Sequence, residues 1–382
     1  MSSKAKVKRI LYVSQKGGFF GGVERFIYDT AEALNNCDFA VFGMFAEPAR
    51  QFEPFCAPFR KVYSFDDRAE IMALNFDAVF IHKLSDFELL RMLNSRFRTV
   101  LYVHDHDYYC RRRHKYFPFK RKNCSLPGNR PYCLLCSILV KENNGKLKLN
   151  WDRNFSKVFR EIRRCSRFAV MSEYMRHNLT VNGFRCEDIS KIYTIIDTPD
   201  AAVEKSCKRK TPVIVAVGQL IAGKGFDLLL NALNLLDFDF KAYIVGGGKD
   251  EKYLRNLCLQ KGLQTRVEFT GWQDQVAEYY READIAVFPS RWQEPFGLTG
   301  VEAAAYGLPV VGFDVGGVSE WLRDGHNGFL VAAGDTAAMA EAIKRLALEP
   351  EKALALGKNG RNFIKSEFSV NKFIEAFEAI IA

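Results

Sequence analysis

The sequence predicts an α/β protein made of two doubly wound parallel-sheet domains in tandem. Three observations carry this. Short runs of β-branched and aromatic residues alternate with helical segments along the chain. The alternation breaks once, at the polar stretch "DTPDAAVEKSCKRKTP" (197–212), and then restarts. At 382 residues the chain is long enough for two cores.

In the first half, "RILYVS" (9–14) reads as a buried strand. The Gly-rich loop "QKGGFFGGVER" follows and opens a helix through "FIYDTAEAL". "FAVFGMF" (39–45), "FDAVFIH" (76–82), "TVLYVHD" (99–105), "RFAVMS" (167–172) and "ISKIYTII" (189–196) read as further strands, with helices such as "DFELLRMLNSR" (86–96) between them. After the linker, "PVIVAVG" (212–218), "FKAYIVGGG" (240–248), "RVEFTG" (266–271), "DIAVFPS" (284–290), "PVVGFDVGG" (309–317) and "GFLVAAG" (328–334) read as strands. "GFDLLLNALNLL" (225–236), "EKYLRNLCLQKG" (251–262) and "QVAEYYREA" (275–283) read as helices. The division expected is residues 1–198 and 199–367, with an insert over about 105–150 and a final helix over about 368–382 that packs back on the first domain. Ligands of such sheets bind beyond the C-terminal strand ends. The unusual motifs fall just after predicted strands, so a shared site in an interdomain cleft is the expectation.

Composition is that of a soluble globular protein, 48% hydrophobic and 26% charged. No apolar run approaches the roughly 18–20 residues needed to span a bilayer. The basic N-terminus contains the apolar stretch "ILYV", too short for a signal-peptide core. Residence in the cytoplasm is therefore expected. The net charge of +10 is uneven: residues 91–164 hold about 19 Lys and Arg against about five Asp and Glu. A solvated basic face would explain this. So would a patch for an anionic partner, whether phospholipid, a lipid-linked phosphate or nucleic acid.

Within that region Cys110, Cys124, Cys133 and Cys136 follow the spacing C-x13-C-x8-C-x2-C. The closing C-x-x-C suits a structural zinc that would staple a long loop; free or redox-active thiols and disulfides are the alternatives.

The most informative stretch is "EPFGLTGVE" (294–302). Pro295 disfavours helix at the residue before it, so a helix is expected to start near Leu298, with Glu294 in the loop and Glu302 in about the first turn. Free N–H groups and the positive helix end between the two acids suit a phosphate. Each carboxylate can accept from a pair of sugar hydroxyls. A nucleotide sugar has this layout: ribose diol, diphosphate, hexose. Lys224 stands in another strand-to-helix loop and can bring a cation to the same diphosphate. The loops at Gly218 and Gly246 are further strand-end glycine turns, weak signals by themselves.

The block "FPSRWQEPFGLTGVEAAAYGLPVVGFDVGGVSEWLRDGHNGFLV" resembles the C-terminal domain of retaining glycosyltransferases of family 4, which have the GT-B fold. "VGQLIAGKGFDLLLNAL", "YIVGGGKDEKYLRNL" and "GGVERFIYDTAEAL" resemble upstream blocks of that family. The resemblance spans nearly the whole chain and is specific in its second half. It implies that Glu302 binds the ribose hydroxyls and Glu294 the donor hexose. It implies that amides around Phe296, Gly297, Leu298 and Thr299, with Lys224, hold the diphosphate. Gly21 and Gly22 would let the first loop approach donor and acceptor, and His104 would contact the donor sugar. It further implies a UDP-, GDP-, ADP- or dTDP-linked donor, no metal for catalysis, and front-face substitution with retention. Two departures stand out. Gln219 occupies a position where the family has Arg, and the Asn-Gly before the linker is absent, leaving Asp197.

Lys16, Asp105, Arg111, Arg112 and Arg113 are the acceptor-binding candidates. The acceptor expected is a glycan or lipid-linked molecule, with peripheral contact at the inner face of the membrane. A nucleotide-sugar epimerase or hydrolase on the same fold is the competing enzyme. A nucleic-acid-binding protein is a third class, which leaves the acids of the second domain unexplained; no nucleic acid is expected.

Overall fold

The computed structural model describes residues 7–19, 21–48, 50–112, 114–117, 122–128, 131–141, 147–149, 154–199 and 211–382. The chain divides into two compact units, Met1–Ile195 with Val370–Ala382, and Ile196–Ser369.

The first unit is built on strands β1 (Lys8–Gly17), β2 (Phe39–Pro48), β3 (Val62–Ser64), β4 (Ala78–Ile81), β5 (Thr99–Tyr102), β6 (Arg167–Val170) and β7 (Ile189–Lys191). Their order is β7-β6-β5-β4-β1-β2-β3, and every pair is parallel. β4 and β5 are buried at every position, as strands covered on both faces must be. The short edge strand β3 was not anticipated. Three residues, one of them buried, carry too little pattern to announce a strand.

Helix ends follow local chemistry. Asp86 caps the helix Phe87–Arg96 by accepting from the N–H groups of Glu88 and Leu89, and Ser172 caps Glu173–Val181 through the N–H of Met175. Helix α1 (Gly22–Asn35) starts on Gly21.

The second unit has strands β8 (Val213–Val217), β9 (Lys241–Val245), β10 (Val267–Gly271), β11 (Ile285–Phe288), β12 (Val310–Phe313) and β13 (Gly328–Val331), in the order β10-β9-β8-β11-β12-β13, again all parallel. Helix α2 (Leu298–Ala305) follows β11.

The last helix, α3 (Val370–Ile381), belongs to the first unit, although the whole second unit precedes it in the chain. Phe377 stacks on Phe80 of β4 at 4.4 Å and meets Phe39 of β2 edge-on at 5.4 Å. Phe373 meets Phe26 of α1. Arg98 closes the helix end by donating to the carbonyls of Ile380, Ile381 and Ala382. Among the described residues, no helix is long and apolar enough to cross a membrane.

Candidate active site

In the second unit two loops, one after β8 and one after β11, are zipped together at a single carbonyl. The oxygen of Gly223 accepts from the N–H groups of Arg291 (3.0 Å) and Trp292 (3.2 Å), and Ser290 Oγ lies 3.2 Å from it. The Arg291 guanidinium grips both oxygens of Asp227, at 2.8 and 2.7 Å, tying the second loop to the helix that follows the first. This seam brings Lys224 to Glu294. Lys224 Nζ lies 2.7 Å from Glu294 Oε1, and Ser290 hydrogen-bonds the same carboxylate oxygen. Glu294 is 7% exposed. Its main chain is held as well, the N–H donating to Trp292 O and the carbonyl accepting from Gly317 N–H, each at 2.9 Å.

The chain then turns into α2. Gly297 caps the helix at φ +102°, where a Cβ would also meet the Phe288 ring at 2.8 Å. Phe296 is buried, and its carbonyl accepts from the indole N–H of Trp321 at 2.7 Å. The N–H groups of Leu298 and Thr299 open α2 and have no carbonyl one turn earlier within the helix. Glu302 is the fifth helical residue, so it stands in the second turn and not the first, because the helix begins just after Gly297. Tyr280 steadies it: the phenol oxygen lies 3.1 Å from Thr299 O and 3.3 Å from Glu302 Oε2. Burial and the neighbouring Glu302 carboxylate hold that phenol well above its ordinary pKa, so it stays a donor.

Two expected glycines have a plain structural cause. A Cβ on Gly246 would lie 2.1 Å from the carbonyl oxygen of Gly218, so the loops after β9 and β8 approach each other there. Gln219, where a cation was missed, is exposed beside them.

In the first unit, Gly21 is the N-cap of α1 and Gly22 its first residue. Sequence reading passed over Glu24, the third helical residue. It is 7% exposed and accepts from its own N–H and that of Gly21. Burial raises its pKa, against the pull of Lys83 and Lys16. An acid three residues beyond a cap was the available signal. Asp105 and Asp107 both form ion pairs with Lys83, Asp107 at 2.7 Å.

His104 stands two residues past β5 and is 8% exposed. Its Nε2 lies 3.0 Å from Nδ1 of His82, which follows β4 and is fully buried. Burial pushes His82 down to about 3 and His104 well below the usual imidazole range, so both rings are neutral at physiological pH. His82 went unremarked in the sequence as the last residue of an apolar strand.

The basic insert is organised around sulfur. Cys110, Cys124, Cys133 and Cys136 line one cavity together with Arg112 and Lys115. Arg112 Nε lies 3.2 Å from Cys136 Sγ, and Arg111 covers the Phe155 ring at 4.5 Å. Arg113 lies outside the described residues. The nine described cysteines are free thiols, which removes the disulfide alternative for these four. Burial raises the thiols of Cys110 and Cys124, favouring their protonated form. Among the described residues, no group of three or more His, Cys, Asp or Glu side chains is arranged to hold a metal ion. The zinc read from the cysteine spacing stays an expectation, and no chemistry is derived through one.

With this geometry in place, the likeness to known proteins can be read. The crystal structure of Anabaena HepE in complex with UDP superposes with a TM-score of 0.74 over 98% of this chain and 99% of that one, at 20% identity. The fold is GT-B. Residues 199–363 of this GT-B chain match the family model described as "Glycosyl transferases group 1". Among curated relatives, the lipopolysaccharide core biosynthesis glycosyltransferase LpsE of Rhizobium meliloti is 30% identical over 171 residues, 45% of this chain and 50% of that protein. N-acetyl-alpha-D-glucosaminyl L-malate synthase of Bacillus anthracis is 32% identical over 144 residues, 38% of each chain. The GT-B chain thus spans half or less of the length of these two relatives.

Proposed function

We propose that the protein is a retaining glycosyltransferase of family 4, which moves a hexose from a nucleotide-diphosphate sugar to a glycan or lipid-linked acceptor. The observation that carries this is the Lys224–Glu294 pair, held by the Gly223 seam immediately before the amide-rich start of α2. A cation, a buried carboxylate and unpaired helix amides in one loop cluster match the parts of such a donor: diphosphate, sugar hydroxyls and leaving-group charge. The family match of residues 199–363, the name of LpsE and the HepE complexes with UDP and with UDP-glucose support the same reading.

In this reading Glu302, steadied by Tyr280, takes the ribose diol. Lys224 and the N–H groups of Leu298 and Thr299 take the diphosphate, and Glu294 takes hydroxyls of the hexose. The bond from the anomeric carbon to the phosphate oxygen breaks, and a bond to the acceptor oxygen forms on the same face. The acceptor's proton passes to the departing phosphate oxygen. Lys224 and the helix amides offset the charge that grows there, so catalysis is mainly positioning and electrostatic stabilisation. The basic insert of the first unit serves an anionic acceptor such as a diphosphate-linked lipid, at the inner face of the membrane.

The test is release of nucleoside diphosphate from UDP-, GDP-, ADP- and dTDP-sugars, with Glu294→Ala as control and the product anomer read by NMR. Release abolished by the substitution, with the donor's anomeric configuration kept, is the expected result. Inversion would overturn retention. Epimerised donor without acceptor would replace transfer by isomerisation.

A further inference from the structure

The two oxygens of the Glu294 carboxylate have different surroundings. Oε1 accepts from Lys224 Nζ at 2.7 Å and from the Ser290 hydroxyl. Oε2 makes no hydrogen bond among the described residues. It is also absent from their buried, unpartnered side-chain atoms, so it reaches the surface of the second unit. The carboxylate thus turns one oxygen outward and gives the other to its two anchors.

The anchors differ in kind. Lys224 carries its charge on a long flexible stem, and its side chain is 28% exposed. Ser290 stands two residues past β11, is 1% exposed and holds its hydroxyl close to the main chain. That main chain is pinned. The next two residues, Arg291 and Trp292, give their N–H groups to Gly223 O. Those bonds use both lone pairs of the carbonyl, so the Ser290 hydrogen goes to the charged carboxylate, although Gly223 O lies 3.2 Å away. Four residues on, Glu294 is pinned at its own N–H and carbonyl by Trp292 O and Gly317 N–H. The hydroxyl therefore stays with Glu294 as long as the loop holds its shape. The ammonium of Lys224 leaves by rotating its stem.

We propose that Ser290 is a positioning residue that keeps Glu294 aimed at the sugar once a donor is bound. The proposal rests on the glycosyl-transfer reading, in which the diphosphate draws Lys224 away from Glu294. Ser290 is then the partner that remains on Oε1, and Oε2 stays directed at the hexose hydroxyls. Ser290 touches no substrate; it acts through Glu294. Without the hydroxyl, departure of Lys224 leaves Oε1 unpaired, and the carboxylate turns to find a new donor. With a bare nucleoside diphosphate, water fills the place of the hexose and satisfies the turned carboxylate. With a sugar nucleotide, the turn costs the contacts to the hexose. The loss therefore falls on recognition of the sugar and spares recognition of the nucleotide.

The experiment is titration calorimetry on the full chain with UDP, GDP, ADP and dTDP and with the glucose-linked form of each. The pair that binds the unsubstituted protein is then measured with Ser290→Ala. The expected result is that the sugar nucleotide binds about tenfold more weakly, roughly one hydrogen bond to a charged group, and the free nucleotide less than about twofold. If Ser290 merely held the two loops together, both ligands would weaken alike, because Lys224 and the start of α2 depend on the same seam. Equal losses overturn the proposal, and so does an unchanged affinity for the sugar nucleotide. Should Ser290→Ala not fold, Ser290→Cys keeps a side chain of similar shape with a poor donor, and the same comparison decides. If no sugar nucleotide binds the unsubstituted protein, the functional reading falls. The hold of Ser290 on Glu294 is then read without ligand, from the Tm of Ser290→Ala, Glu294→Ala and the double variant. A double shift smaller than the sum of the single ones supports that hold, and additive shifts overturn it.

Discussion

Lys224 and Glu294, 70 residues apart in the chain, meet at 2.7 Å because the loops that carry them share the carbonyl of Gly223. Without ligand the two charges neutralise each other. A bound diphosphate sugar would engage Lys224 with phosphate and Glu294 with hydroxyl groups. On the proposed function, Lys224→Ala and Glu294→Ala should each lower kcat/KM by about 10²–10³, the scale of losing one preorganised electrostatic partner. The double variant should lose less than the product of the two, because the residues act as a unit. Steady-state kinetics on the four variants of the cycle checks this.

Tyr280 touches both Thr299 O and the Glu302 carboxylate. Tyr280→Phe should weaken nucleoside diphosphate binding about fivefold, roughly one hydrogen bond, and leave kcat nearly unchanged. Titration calorimetry with the free nucleotide reads the binding directly.

Gly297 combines positive φ with the close Phe288 ring. Gly297→Ala should destabilise the protein by about 1–3 kcal/mol through strain and crowding. It should also reduce donor binding, since it distorts the start of α2. Denaturant melts with and without nucleotide separate the two effects.

Acid should act on the first unit through His82. Its folded-state pKa of about 3 lies below the ordinary 6.5, so the unfolded chain takes up the proton first. The stability due to keeping this ring neutral is complete above pH 6.5 and is lost as the pH falls toward 3. His104 is depressed by burial in the same direction. Glu24, raised by burial, has the opposite sign: its contribution grows as the pH falls through its folded-state pKa. The expected net result is a midpoint of urea unfolding that falls between pH 6.5 and 4.5, with a shallower slope in His82→Phe.

Phe377 is almost fully buried against Phe80 and Phe39. Phe377→Ala should cost about 3–5 kcal/mol, the usual loss for a core aromatic. Thermal unfolding checks the size, and an engineered protease site before Val370 checks the cause, since cleavage there should loosen the first unit preferentially.

Much of this architecture could be read from the chain. Strands buried on both faces, such as "VIVAV" and "IAVF", stand out as continuous apolar runs, and the Pro295–Gly297 turn marks where α2 begins. What stayed hidden was contact between distant segments. "EPFGLTGVE" singles out Glu294, and "AGKG" singles out Lys224, but nothing local says that they pair. Arg291 and Asp227, which tie the same loops, look like two surface charges until their 2.7 Å contact is seen. His82 was hidden for another reason. One histidine at the end of an apolar strand has no pattern, and its meaning comes from the strand alongside. β3 was missed because three residues cannot show a period.

The helix that completes the first unit is made after the whole of the second. Until residues 370–381 leave the ribosome, the aromatic faces of Phe26, Phe39 and Phe80 lack the rings that cover them. The second unit has its own sheet and core and no such wait. Folding during synthesis should therefore run against the order of the sequence, with the later unit closing first and the earlier one finishing once residues 370–381 have emerged. A chain stopped short of Val370 would carry a greasy, unfinished N-terminal half, the kind of surface that chaperones and proteases detect.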